Sequence, residues 1–335
     1  MTRFECSALR CLAIICIVLH NYAHKLPGSA QENEFTFSQE NYIYFWHSVF
    51  DTNIVIQLFS FFGHLGVPIF VFMTGYGLAQ KYDNIVQIDW KIYIYNHWKK
   101  LFIPLVIGTL TYVIVMFFME GNIVCSINRI TVQCSMLLNM ISPMHLLPMP
   151  YWYFGLTMQF YIIYLIFTHK HSIIPLLLLT FASIVFTICF PHYVRISKFN
   201  CIGWLSCLLL GIAYSRYQHH FLPKKRIYYI YTFSLSVILI ILAGFNYYTW
   251  LLIPIFVVIA ALGVVKYMPI VLQQKLEYLG RNSLLLFVIH PITRDIILPF
   301  NYILGSYISW CLYFLTSLAI VFLYLYIKNH LLRLK

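Results

Sequence analysis

The chain alternates between long apolar runs and short breaks that are basic, polar or marked by proline and glycine. Ten runs stand out, at residues 7–24, 55–80, 101–119, 151–168, 173–190, 200–215, 227–243, 248–265, 281–298 and 305–327. Most approach the roughly 20 residues needed to cross the hydrocarbon core of a bilayer as a helix. The two-residue alternation of a membrane barrel strand is absent, and a helix satisfies its own backbone groups in lipid, so each run is expected to be helical. The expected fold is all-α: a polytopic integral membrane helical bundle of about ten transmembrane helices. No linker-like change in composition and no internal repeat interrupts the pattern, so residues 1–335 read as a single integral membrane domain.

The breaks carry the charge. Alternation of ten spans puts residues 1–6, 81–100, 169–172, 216–226, 266–280 and 328–335 on one side, with fifteen Lys and Arg residues, and leaves only Lys25, Arg129, Arg195 and Lys198 on the other. Basic loops stay in the cytoplasm, so both termini are expected there, in a plasma membrane or bacterial inner membrane. The loop of residues 25–54 then faces outward. It holds Glu32, Glu34, Glu40 and Asp51, four of the ten acidic residues, and suits a surface that meets a hydrophilic substrate. A cleaved leader ending near Gly28-Ser29-Ala30 is disfavoured because Arg10 interrupts the apolar stretch such a leader needs.

Composition agrees with the pattern: 61% of residues are hydrophobic and 10% charged, more apolar surface than a soluble core of this length can bury. The net charge of +12 is dispersed between apolar runs instead of gathered into a patch, which excludes nucleic acid as the partner and names the lipid bilayer. Most of the nine cysteines lie within apolar runs without metal-type spacing and read as small buried hydrophobes. Cys125 and Cys134 share one loop and are the pair available for a disulfide if that loop faces an oxidising compartment. His169, His171, His219 and His220 have no carboxylate or cysteine beside them, so no metal is expected. There is no phosphate-binding glycine loop and no nucleophile elbow.

Against this background, polar residues inside the first run carry information. An ionisable side chain in a membrane helix costs about 3 kcal/mol or more unless compensated, which makes it a candidate functional group. Arg10 and His20 stand near opposite ends of that run, about 80° apart around the helix. A histidine can take a proton from a hydroxyl near neutral pH. Arginine offers a permanent planar cation suited to phosphate. The bland alternative is that both snorkel to the headgroups.

At these residues the sequence resembles the type 3 membrane acyltransferase family, whose members carry an arginine in the first span and a histidine after ten intervening residues. Here nine residues separate Arg10 from His20, and His24, one turn later, is the second candidate base. Gly66-Val67-Pro68-Ile69-Phe70-Val71-Phe72-Met73-Thr74-Gly75-Tyr76 is similar to the family's Gly-Val-Pro-Leu-Phe-Phe-x-x-Ser-Gly-Tyr segment, with Thr74 in the serine position. His97-Trp98-Lys99-Lys100 before Ile103-Pro104 resembles its Arg-x-x-Arg stretch, with charge kept at Lys100. Tyr151-Trp152-Tyr153-Phe154 leading to Tyr161 resembles an aromatic entry. Gly280-Arg281-Asn282-Ser283 running through Phe287 to His290-Pro291 resembles a late Gly-x-x-Ser and histidine pair.

The resemblance implies an acyltransferase that moves an acyl group, most simply acetyl, from a cytoplasmic acyl-CoA to a hydroxyl of an extracytoplasmic cell-surface polysaccharide or its lipid-linked sugar precursor. No resident cofactor is implied; acetyl-CoA is the donor substrate. His20, Arg10 and His290 are the implied catalytic residues, with His20 as general base. Lys100, Thr74, Trp152, Tyr161, Asn282 and Ser283 are the implied substrate contacts: Lys100 for donor phosphates, Trp152 for sugar stacking, Thr74 and Asn282 for the oxyanion. The rival from another class is a polytopic transporter or lipid-binding protein without chemistry. The lack of paired intramembrane carboxylates counts against a proton-driven pump.

Overall fold

The computed structural model describes residues 1–50, 53–120, 127–136, 150–167, 172–221 and 225–333. Asp51, Cys125, His169 and His171 lie outside the described residues. The first helices in chain order are α1 (Arg3–Ala23), α2 (Gln39–Ser48), α3 (Ile54–Phe62), α4 (Gly66–Tyr82), α5 (Trp90–Glu120) and α6 (Ile127–Cys134). There follow α7 (Trp152–Phe167), α8 (Ile174–Cys189), α9 (Val194–Phe199), α10 (Leu205–Phe221), α11 (Ile227–Ala243) and α12 (Tyr247–Trp250). The chain closes with α13 (Ile253–Tyr267), α14 (Ile270–Arg281), α15 (Ser283–Ile297), α16 (Asn301–Leu304) and α17 (Ser306–Arg333). Among the described residues no strand occurs, as the missing two-residue alternation predicts.

Five helical stretches are long and apolar enough to cross a membrane: Arg3–Ala23, Ile54–Tyr82, Trp90–Met119, Ser283–Leu304 and Ser306–His330. Ile174–Cys189 and Pro191–Phe199 make a sixth if their chain, bent by 109°, counts as one broken span. All ten apolar runs carry helix, yet four of them fall short of a full crossing. Helices such as Trp152–Phe167 and Ile227–Ala243 reach only about 25 Å at 1.5 Å per residue, below the ~30 Å of the hydrocarbon core. The observed number of full-length spans is therefore five to six, against the ten expected.

Helix α1 is the hub. It begins with a capping box in which Thr2 Oγ1 accepts from the Glu5 amide at 3.2 Å and Glu5 Oε2 accepts from the Thr2 amide at 2.7 Å. Its small and branched residues Ala8, Cys11, Ala13, Ile14 and Val18 are fully buried, which lets α3, α4, α13, α14, α15 and α17 all pack around it. Near its far end Trp310 Nε1 donates to Leu19 O at 3.0 Å and the Tyr313 hydroxyl to Val18 O at 2.9 Å, tying α17 to the turn that holds His20. Two glycines set the approach of the α3–α4 junction. A Cβ on Gly63 would meet His20 Cβ at 2.5 Å, and one on Gly66 would run into the carbonyl of Ala13. Only glycine permits this contact, so the motif segment lies directly against α1.

At the opposite end of α1, part-buried ion pairs join neighbouring helices. Lys266 meets Glu5 at 2.9 Å, and Arg216 clamps Asp83 through two nitrogens at 2.7 and 2.8 Å, with the Tyr164 hydroxyl donating to Asp83 at 2.7 Å. Paired and hydrogen-bonded, these charges are tolerable away from bulk water and fix the register of α1, α4, α7, α10 and α13.

Candidate functional site

Two hollows are of interest, one lined by α1 and the other beside the polar loop that follows it. The first surrounds Arg10. Two adjoining cavities share Arg10, Phe70, Thr74, Lys100 and Tyr161 as walls, one with about 820 Å³ of empty space and the other with about 940 Å³. Lys81, Asn96 and His97 complete the smaller; Arg281, Ser283, Tyr153, Thr157 and Phe287 complete the larger. No carboxylate lines either one. Among the described residues neither Arg10 nor Lys100 forms a salt bridge, whereas Arg281 reaches Glu277 only at 3.7 Å. Several cations thus converge without acidic partners, an arrangement that attracts a phosphate-rich anion and supplies the planar guanidinium that binds it in two places.

The larger cavity changes character along its length. Ile17, Phe70, Phe154 and Phe287 give it an apolar wall, and Ile17 lies one turn before His20. The hollow therefore leads from the cationic end of α1 toward its histidine. Arg10 and His20 are separated by ~15 Å along the helix axis at 1.5 Å per residue.

Beyond that turn α1 reaches its histidines. His20 is 3% exposed, and its Nδ1 lies 3.0 Å from Ser60 O and 3.2 Å from Phe59 O. A carbonyl only accepts, so Nδ1 carries the hydrogen and the lone pair of the neutral ring sits on Nε2, the form a general base requires. His24 repeats this arrangement: its Nδ1 donates to His20 O at 2.8 Å and its ring stacks on His20 at 4.6 Å. His64, from the turn that Gly63 makes possible, sets its ring 5.6 Å from His20 at 62°.

Glu32 and Glu34 come from the polar loop after α1. One carboxylate oxygen of each and a ring nitrogen of His20 lie within 4.8 Å of one another. Burial pushes the Glu34 carboxyl well above the usual carboxylate range; the Glu32 charge adds to this and the Lys198 ammonium opposes it. Beside them is a hollow with about 450 Å³ of empty space, lined by Asn33, Glu34, Tyr42, His64, Lys198, Trp204 and Trp250. Lys198 Nζ rests 4.6 Å over the Trp204 ring and 4.8 Å over the Trp250 ring.

Of the residues singled out in the sequence, Arg10, Thr74, Lys100, Tyr161 and Ser283 gather around one pair of cavities. The Thr74 hydroxyl donates to Phe70 O at 2.9 Å. His20 lines neither hollow; its ring lies 5.6 Å from that of His64, which lines the second. Trp152 is 6% exposed and packs edge-on against Phe35 at 5.5 Å and Phe199 at 5.7 Å, outside the lining of either hollow. His290 is fully buried; its Nδ1 lies 3.1 Å from Leu286 O, its Nε2 has no hydrogen-bond partner among the described residues, and its ring is 5.6 Å from that of Phe287. The Asn282 amide donates to Tyr278 O at 2.8 Å at the end of α14 and faces neither hollow. His97, at one of the two basic motif positions, is packed: its Nδ1 donates to Tyr93 O at 2.8 Å and its ring lies 4.2 Å from Tyr161.

His64 and Arg281 were not picked out in the sequence as site residues, and Lys198 appeared there only as a loop cation. His64 directly precedes the Leu65-Gly66-Val67-Pro68 segment, which was the available signal. For Lys198 there was none, because only folding brings it to the acidic loop.

The family model described as Acyltransferase domain, that of the type 3 acyltransferases, matches residues 6–326. No curated protein and no solved structure matches the chain.

Proposed function

The chain belongs to the type 3 acyltransferase family of membrane O-acyltransferases, an acyl-transferring class that generally acts on glycans, and on that premise we propose that it is an O-acetyltransferase with donor and acceptor sites at opposite ends of α1. The donor is acetyl-CoA. Its phosphates are held by Arg10 and Lys100, with Lys81 and Arg281 at the rim, and its acyl arm runs along the apolar wall of the larger cavity toward Ile17. The acceptor is a hydroxyl of a cell-surface polysaccharide or a lipid-linked sugar, entering from the Glu34 and Trp250 side.

In the reaction His20 Nε2 takes the proton of the acceptor hydroxyl, and the oxygen attacks the thioester carbonyl. The carbon–sulfur bond then breaks, the thiolate of CoA leaves and takes the proton back from the His20 imidazolium, and the acyl group remains on the acceptor as an ester. Thr74 lines the donor cavity and is the oxyanion donor in this scheme, its hydroxyl hydrogen turning from the Phe70 carbonyl to the developing charge. Ser283 and Tyr161 position the donor from the same walls. Both termini lie on the basic, cytoplasmic side of a plasma membrane in this reading, with the Glu32 loop outside.

The observation that carries this reading is the carboxylate-free cationic hollow one turn away from a histidine whose tautomer is fixed by two carbonyls. The test is turnover of labelled acetyl-CoA by purified protein, compared with His20→Gln and Arg10→Ala. Loss of transfer in both supports the reading, and unchanged turnover in either overturns it.

A further inference from the structure

We propose that His20, Glu32 and Glu34 form a binding site for a divalent transition-metal cation of the zinc type. This goes beyond acyl transfer, because binding there requires no turnover.

The donor set comes first. One imidazole nitrogen and two carboxylate oxygens, each from a different residue, lie within 4.8 Å of one another. Zinc binds such nitrogen and oxygen ligands at about 2.0–2.2 Å, which places tetrahedral ligands roughly 3.4 Å apart, so the set has to close by little more than 1 Å. Two of its members are on the loop after α1, where the backbone is free of helical constraint.

The ring is also prepared. A metal-bound histidine usually donates its other N–H to a backbone carbonyl or carboxylate, which fixes the tautomer and raises ligand basicity. His20 does so through Nδ1 to Ser60 O at 3.0 Å, and its side chain is 97% buried, being 3% exposed. The opposite nitrogen has no hydrogen-bond partner among the described residues.

The carboxylates lack what would otherwise compensate them. Glu32 Oε2 is buried with no hydrogen-bond partner, and neither glutamate forms a salt bridge among the described residues. Lys198 lines the same hollow as Glu34 and acts on it electrostatically, but forms no salt bridge with either carboxylate and rests over two indole rings. Two half-buried carboxylates within 4.8 Å of each other and of an imidazole nitrogen are unfavourable together until a cation sits between them. His64 adds a further imidazole 5.6 Å from His20, with its Nδ1 buried and unpartnered among the described residues. A cation at this position occupies the lone pair that the proposed base uses, so metal binding and proton abstraction exclude each other.

The experiment is equilibrium binding of Zn²⁺ to the full-length protein in detergent, followed by zinc-edge X-ray absorption on the loaded sample. Wild type is expected to bind one equivalent with one imidazole and oxygen ligands, and His20→Ala, Glu32→Gln and Glu34→Gln are each expected to weaken it by about tenfold or more. Glu32→Asp and Glu34→Asp, which keep the carboxylates, are expected to retain binding. His47→Ala, at an exposed histidine of α2, is expected to leave it unchanged. The proposal is overturned if folded wild-type protein binds no stoichiometric Zn²⁺ at about 100 μM. It is overturned equally if His20→Ala binds as tightly as wild type, or if the absorption spectrum lacks an imidazole ligand.

Discussion

The two ends of α1 use ionisable residues in opposite ways. Around Arg10 the cations gather with no carboxylate in the cavity walls, so positive charge is held in reserve for something that enters. Around His20 the chain places two carboxylates, three histidines and Lys198 close together, with the central ring neutral and locked by backbone carbonyls. The first arrangement suits an incoming anion; the second suits the proton transfer or cation binding proposed for it. One helix bears both because its buried Ala8, Cys11, Ala13, Ile14 and Val18 let six helices converge on it, and because the approach of the α3–α4 junction depends on Gly63 and Gly66.

If the contrast is real, damage at the two ends should differ in kind. The largest effect is expected from His20→Gln: transfer from acetyl-CoA falls by about 10²–10⁴-fold in kcat, the range of a lost general base, with little change in KM for the donor. Steady-state kinetics with labelled donor measure both. Arg10→Ala is next. Losing a hydrogen-bonded charged contact of about 1.5–3 kcal/mol raises KM for acetyl-CoA about 10–150-fold, with a smaller change in kcat. Lys100→Ala follows in the same direction.

Gly63→Ala sharpens the comparison from the other side. Its new Cβ meets His20 Cβ at 2.5 Å, so the base or the α3–α4 junction must shift. An overpacking cost of about 1–3 kcal/mol predicts a drop in kcat with donor KM unchanged, together with a lower melting temperature of the detergent-solubilised protein. Arg281→Ala is the smallest. Its side chain is half exposed and pairs only loosely with Glu277, so donor KM is expected to rise about threefold at most.

Much of the donor end was legible in the sequence, and the reason is local. Arg10, Thr74 and Lys100 are rare polar groups inside or beside apolar runs, and for Thr74 and Lys100 a nearby proline or glycine also marks a break in regular packing. Tyr161 and Ser283 lie on other helices, α7 and α15, and were found through their own motif segments. The His20 end was only half legible. The histidine stood out in its run and the acidic loop stood out by composition, but their meeting with His64 and Lys198 depends on how α3 and α9 pack, which periodicity does not encode. Trp152 shows the converse: an interfacial tryptophan looks like a sugar platform in sequence, yet here it packs edge-on against Phe35 and Phe199. The apolar runs located the helices but overstated their reach, because hydropathy marks where lipid-compatible residues lie and says less about where a helix ends. α8 stops before Pro191, and the chain bends there by 109°.

The central claim is that the donor is held at one end of α1 and the chemistry done at the other. Calorimetric binding of CoA to wild type, Arg10→Ala and His20→Gln tests it without requiring an acceptor. The account predicts that His20→Gln binds CoA as wild type does while Arg10→Ala binds it at least about tenfold more weakly. Equal weakening in both variants, or undiminished binding in Arg10→Ala, would contradict it.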